Sequence, residues 1–141
     1  MGRIILPGRF IIYGLAHATA LVSREPLSFW GGYDWQTGEI IDRRHTLSGQ
    51  VASGKILALP FTRGSSTTTA VLLEAIRNDT APAAILTTAT DFFFALASVV
   101  ADELYATTLP LIALSEADFG LLRSGDDVEI TPQGEVVVQR P

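Results

Sequence analysis

The chain has no cysteine. It can form no disulfide, and it offers no thiolate to an iron-sulfur cluster or a Cys-type zinc site, so any cluster involved must be held by another chain. A basic excess is also missing: ten Lys and Arg stand against fifteen Asp and Glu, a formal charge of −5, with no run of Lys or Arg to track a phosphate backbone. That argues against nucleic acid as a partner. No apolar run reaches the roughly 18 residues of a membrane span; the longest lies around Phe92 to Val100. The start, Met1 to Gly14, is apolar but broken by Pro7 and Gly8 and lacks a small-residue cleavage pattern. It reads as folded strand, not signal peptide, and the expected location is the cytoplasm. There is no internal repeat, no low-complexity tract and no linker long enough to separate two domains.

What is present is a chain of 141 residues, 48% of them hydrophobic. That suits one domain, residues 1–141, around one core. Up to Pro60, short β-type segments separated by Gly and Pro predict strands at Arg9–Tyr13, Thr19–Val22, Leu27–Trp30, Glu39–Asp42 and Lys55–Leu59. After Pro60 the elements alternate: helix Ser66–Arg77, strand Ala83–Thr87, helix Phe92–Leu104, strand Leu111–Leu114, a short helix Glu116–Leu122, and a hairpin of Asp127–Thr131 with Glu135–Gln139. Apolar runs bounded by Pro82 and Pro110 read as parallel strands buried on both faces, with helices as crossovers. The pattern predicts a mixed α/β fold, a β/β/α domain with a mixed or barrel-like sheet and flanking helices.

Two stretches carry chemistry. The first is "LPFTRGSSTTTAVLLEAI", residues 59–76, in which an apolar strand passes through Arg63-Gly64 into hydroxyl residues, Ser65 to Thr69, and then a helix with Leu72, Leu73 and Ile76 on one stripe. Ser65 and Ser66 sit where an N-cap belongs. The free N–H groups and positive dipole end of a helix's first turn favour a carboxylate or phosphate. Arg63 adds a permanently charged fork, Gly64 admits close backbone approach, and a serine held there would have its alkoxide stabilised. A simple helix cap with a solvated Arg63 accounts for the same residues. The GxxxxGK[ST] spacing of a phosphate-binding P-loop is absent.

The second stretch, "SREPLSFWGGYDWQTGEIIDRRHTLSGQ", residues 23–50, packs Phe29, Trp30, Tyr33 and Trp35 around Gly31-Gly32 and runs into Asp42, Arg43, Arg44 and His45. Such aromatics line a cleft or partner surface, or belong to the core. Glu25, Asp34, Asp42 and His45 lack metal-site spacing, and His45 reads as a loop histidine with local hydrogen bonds. His17, among alanines, reads as structural. In "DFFFALASVVADEL", Asp91 is the natural N-cap and the phenylalanines are core or interface. The aromatic stretch and this helix together predict exposed apolar surface.

"EPLSFWGGYDWQTGEIIDRRHTLSGQ", "GKILALPFTRGSSTTTAVLLEAI" and "APAAILTT", in that order, resemble the small subunit of the aconitase X family, across Arg9 to Leu114. The resemblance implies a swivelling β/β/α domain as in the C-terminal domain of aconitase. It further implies a hydro-lyase in which a large subunit carries the iron-sulfur cluster, as Lewis acid on the leaving hydroxyl, together with most of the substrate pocket. The small subunit closes over that site and contributes a catalytic serine, which falls on Ser65, with Thr62 where the family often has glycine. By the same resemblance Arg63, Gly64 and Ser66 bind substrate, while Glu25, Ser28, Trp30, Gly31, Gly32, Arg44 and His45 are interface or substrate-side residues. No metal ligand is implied in this chain, and the isolated chain should be inactive. "RGSSTTTAVLLEAI" is closer to bacterial members that dehydrate cis-3-hydroxy-L-proline than to archaeal mevalonate 5-phosphate dehydratases. A non-catalytic anion-binding or assembly module is the alternative of a different class.

Overall fold

The computed structural model describes residues 2–61, 66–89 and 91–140, with the backbone alone described at Ser66. The strands are β1 (Gly2–Pro7), β2 (Arg9–Ile12), β3 (Ala16–Val22), β4 (Ile56–Ala58), β5 (Ala84–Thr87), β6 (Leu111–Ala113), β7 (Asp127–Ile130) and β8 (Glu135–Arg140). The helices are α1 (Ser66–Arg77), α2 (Phe92–Tyr105) and α3 (Glu116–Phe119). The strands form one mixed sheet in the order β1-β8-β7-β3-β4-β5-β6-β2. Its centre, β3 to β6, is parallel, and antiparallel strands continue it on either side.

The parallel strands are short because few residues suffice when both faces are covered. Leu21, Leu57, Ile85 and Leu111 point to one face, where Val71, Leu72 and Ala75 of α1 and Phe94 and Ala97 of α2 cover them. Ala20, Ile56, Ala58, Ala84, Leu86 and Ile112 point to the other, where the sheet curls around a second core closed by Phe119, Leu122, Val128 and Val136. The small residues of this second set, Ala20, Ala58 and Ala84, leave room for the sheet to curl. The result is a half-barrel with helices on its outer face, the β/β/α arrangement read from the sequence.

Helix α2 starts because the Asp91 carboxylate accepts from the backbone N–H groups of Phe93 and Phe94, and it stops at Ala106, in left-handed conformation with φ 52. Two expected strands are corrected. Leu27–Trp30 and Glu39–Asp42 form no named strand: they carry isolated bridge residues, Leu27 among them, with Tyr33 paired to Ile40 and Glu39 to Val51, between turns at residues 30–32, 35–37 and 43–44. Left-handed Gly31 and Gly38 reverse the chain there, and its backbone bonds locally, Gly38 N–H to the Asp34 carbonyl at 2.7 Å and Gly49 N–H to Ile40 at 2.8 Å. Leu27, Phe29, Tyr33, Ile40 and Leu47 nonetheless all reach the outer core. Among the described residues no helix is long and apolar enough to cross a membrane.

Candidate functional site

Parallel strands end on one side of their sheet, and in open α/β sheets ligands bind at that carboxyl edge. Here the edge is made by Ser23, Arg24 and Glu25 after β3, Pro60 and Phe61 after β4, Thr88 after β5 and Ser115 after β6. The first turns of α1 and α2 begin at the same edge, since each helix follows a parallel strand. Thr62, Arg63, Gly64 and Ser65 span the join between Phe61 and α1 and lie outside the described residues, as does the side chain of Ser66.

Four of the other expected residues meet. Glu25, Ser28, Arg44 and His45 line one cleft of about 480 Å³ with Pro26 and Asp42. Glu25 is held from both ends: its N–H donates to Ser23 Oγ at 3.0 Å, and its Oε1 accepts from the Thr46 N–H at 2.8 Å. His45 is only 7% exposed. Its Nδ1 accepts from the Leu47 N–H at 3.1 Å, so the neutral ring carries its proton on Nε2, which lies 3.5 Å from Ser23 Oγ and 3.9 Å from Glu25 Oε1. The local bonding expected of a loop histidine is present, and it turns the ring toward Glu25. Arg44 is exposed, its N–H donating to Asp42 Oδ1 at 3.0 Å. The cleft thus offers a carboxylate and a guanidinium together, a charge pattern suited to a zwitterion or a polar partner surface.

The remaining three separate. Trp30 is 70% exposed on the neighbouring turn. Gly31 takes a left-handed φ of 76, and a Cβ on Gly32 would stand 2.1 Å from the Ser28 carbonyl oxygen, so the turn's own packing requires the glycine pair. The aromatics divide between the two roles open to them: Phe29 stacks on Tyr33 at 5.3 Å and meets Phe94 edge-on at 5.5 Å inside the core, while Trp30 faces out. The Tyr33 hydroxyl donates to the Thr80 carbonyl at 2.7 Å, and burial pushes its pKa up. Phe92, Val99 and Leu104 of α2 are exposed as well, so the aromatic stretch and this helix both carry the exposed apolar side chains expected of them; Phe61 is exposed too.

Sequence reasoning passed over Arg24. Its guanidinium donates to the carbonyls of Phe119 at 3.0 Å, Gly120 at 3.2 Å and Leu122, and lies 5.5 Å from the Phe119 ring centre. It ties the end of β3 to α3, and with Pro60, Phe61, Thr88 and Phe119 it borders a second groove of about 390 Å³. Its only local signal was its place two residues past the end of a strand. His17, read as structural, stands on the outer side of β3, its Nε2 2.8 Å from Asp127 Oδ2. Among the described residues no three His, Asp or Glu side chains converge to hold a metal ion, so neither composition nor placement fits an iron-sulfur cluster in this chain.

Residues 5–138 match the family described as the aconitase X swivel domain. The chain is 45% identical over 114 residues, 81% of its length, to a cis-3-hydroxy-L-proline dehydratase of Pseudomonas aeruginosa, and it spans only 20% of that longer relative. It is 33% identical over 138 residues to a phosphomevalonate dehydratase small subunit of Methanosarcina mazei, covering 91% of this chain and 92% of the relative. Its fold matches the crystal structure of Thermococcus kodakaraensis aconitase X in the holo-form, with a TM-score of 0.85 at 32% identity over 97% of this chain and 99% of that one.

Proposed function

The chain belongs to the aconitase X swivel-domain family, and from that premise we propose that it is the small subunit of a cytoplasmic hydro-lyase that dehydrates a small hydroxy acid, cis-3-hydroxy-L-proline. The observation that carries this reading is topological. In chain order residues 62–65 follow the carboxyl end of β4 and precede the first turn of α1, and the carboxyl ends of parallel strands are where such folds take ligands; Glu25, which follows β3 at that same edge, lines a cleft with Arg44. The Pseudomonas relative supports the proline substrate.

In this mechanism Arg63 grips the substrate carboxylate in two places, Gly64 allows the backbone to close on it, and the α1 amides, that of Ser66 among them, favour the negative charge. Ser65 takes the proton from the carbon next to the carboxylate. The C3–O bond then breaks, the departing hydroxide takes up the proton that Ser65 removed and leaves as water, and the resulting C2=C3 enamine tautomerises to the imine, a pyrroline-2-carboxylate. An unassisted serine is too weak a base for this step, so the pocket must be dry and closed when the proton moves. Closure is the work of a swivelling domain on a large-subunit partner, to which the resemblance assigns the cluster. Ser28, Trp30, Gly31, Gly32 and His45 would serve the substrate side or the interface, Trp30 with Phe61 supplying apolar contact.

A second reading has its own support: the Methanosarcina phosphomevalonate dehydratase small subunit matches this chain over nearly the full length of both. Turnover of cis-3-hydroxy-L-proline and of mevalonate 5-phosphate by the chain mixed with an aconitase X large subunit, against each protein alone, separates the two. Activity on the proline in the mixture alone is the expected result, and activity on the phosphate alone would replace the substrate. Ser65→Ala should lower kcat by about 10²- to 10⁴-fold with assembly retained. Unchanged turnover would favour a non-catalytic closing module.

A further inference from the structure

The bonding around the two ends of residues 62–65 converges on one short stretch. The Pro60 carbonyl oxygen accepts from the Thr87 hydroxyl at 2.8 Å, the Thr88 hydroxyl at 2.8 Å and the Thr88 N–H at 3.2 Å. Ladder pairing between β4 and β5 ends just before, where the Leu59 N–H donates to Leu86 at 3.0 Å. Proline has no N–H to extend that ladder, so two side-chain hydroxyls hold the chain at its exit instead. On the far side, the Thr69 hydroxyl in the first turn of α1 donates to the Phe93 carbonyl in the first turn of α2 at 3.0 Å. The acceptor stretch is itself fixed, because Asp91 caps α2 through the Phe93 and Phe94 N–H groups at 3.0 and 3.2 Å.

We propose that Thr87 and Thr88 at one end and the Asp91-capped Phe93 at the other form a two-ended frame for the segment carrying Arg63, Gly64 and Ser65, with Thr87 and Thr88 as positioning residues for the serine's chemistry. Thr87 makes the strongest case. It is 0% exposed, in a strand whose other members are Ala84, Ile85 and Leu86. Valine has the same shape, keeps the β-branched preference of a strand, and brings no hydroxyl to desolvate. Packing alone would therefore be served by valine; the hydroxyl is accounted for by its bond to Pro60. Thr88 adds its hydroxyl and its N–H to the same oxygen, so three donors converge on the carbonyl that starts the loop. With one end tied through Thr87 and Thr88 and the other through Thr69, the start and end of the segment keep their spacing when the domain moves as a body.

The catalytic part of this inference rests on the proposed role of Ser65; the framing part does not. The test uses Thr87→Val with Thr88→Val in the assembled two-chain complex, the isosteric change preserving the fold, and Thr87→Ser with Thr88→Ser as the rescue. The valine pair should lower kcat on the order of ten- to a hundredfold with KM little changed, since a misplacement near 1 Å costs about that much. In the same complex, amide exchange of residues 62–66 should quicken about tenfold or more while β7 and β8 keep their protection. The serine pair should restore both. Wild-type kcat and exchange in the valine pair would overturn the proposal, as would exchange rising uniformly across the sheet. If Ser65→Ala retains full turnover but the valine pair still quickens exchange at residues 62–66 alone, the catalytic reading has failed and the frame stands.

Discussion

Strand β3 belongs to two halves of the sheet that differ in what covers them. Ala16 to Thr19 pair antiparallel with β7 and alternate between half-buried and exposed; Ala20 to Val22 pair in parallel with β4, and Ala20 and Leu21 are buried on opposite faces. The same contrast runs through the molecule. β7 alternates strictly, with Asp127 and Glu129 in water and Val128 and Ile130 inside, whereas every residue of β4, β5 and β6 is buried. A strand covered on both faces has no position left for a charged group, so chemistry in the parallel half is confined to where its strands end. The wet face of the antiparallel half can carry charge at every second position, as Asp127 and Glu129 do.

The largest effect that would sharpen this contrast is Phe29→Ala. Phe29 lies in the turn-rich crossover between β3 and β4, yet it is fully buried against Tyr33 and Phe94. If the crossover is as firmly packed as a helix, the truncation should cost about 3–5 kcal/mol in urea unfolding, while Glu129→Ala on the wet face stays within about 0.5 kcal/mol. A cost near 1 kcal/mol for Phe29 would show a loosely docked crossover and break the comparison. Tyr33→Phe should come next, at about 1–2 kcal/mol, because it leaves the Thr80 carbonyl without the donor that ties this crossover to the end of α1.

The crossovers also mark how far the sequence could be read. The connections from β4 to β5 and from β5 to β6 were legible because their signals are local: hydroxyls ahead of an apolar stripe give α1 in the first, and Asp91 before the phenylalanines gives α2 in the second. The connection from β3 to β4 was not, since Leu27, Phe29, Tyr33 and Ile40 face one core from irregular backbone, and apolar spacing along a turn imitates a strand. Within the cleft, Glu25, Ser28, Arg44 and His45 are four of the seven interface or substrate-side residues that the resemblance names, and they lie together. Which aromatic faces outward was illegible, because Phe29, Trp30 and Tyr33 follow no period around a glycine pair. Arg24 was missed because its carbonyl partners lie at residues 119–122, and no local pattern records so distant a bond. Arg63, Gly64 and Ser65 lie outside the described residues, and their placement follows from chain order between Phe61 and α1.

The smallest effect belongs to the wet face, where charge is free to sit but is screened. His17 Nε2 lies 2.8 Å from Asp127 Oδ2 across the β3 and β7 pair. Its hydrogen bond to Asp127, reinforced by that carboxylate's charge and by Glu129, raises the His17 pKa above 6.5. A histidine whose folded pKa exceeds its unfolded value stabilises the fold below the unfolded pKa and loses that contribution as pH rises through the folded one. His17→Gln should therefore lower Tm slightly at about pH 6 and not at all at about pH 9, a surface pair being worth little even when charged. The direct measurement is an NMR titration: the His17 ring should titrate above 6.5, and Asp127→Asn should bring its midpoint back down. A midpoint at or below 6.5 in the unaltered chain would mean that Asp127 does not hold the ring. A Tm difference that persists unchanged at high pH would mean that His17 acts through packing, and the two faces of β3 would then differ less than their burial suggests.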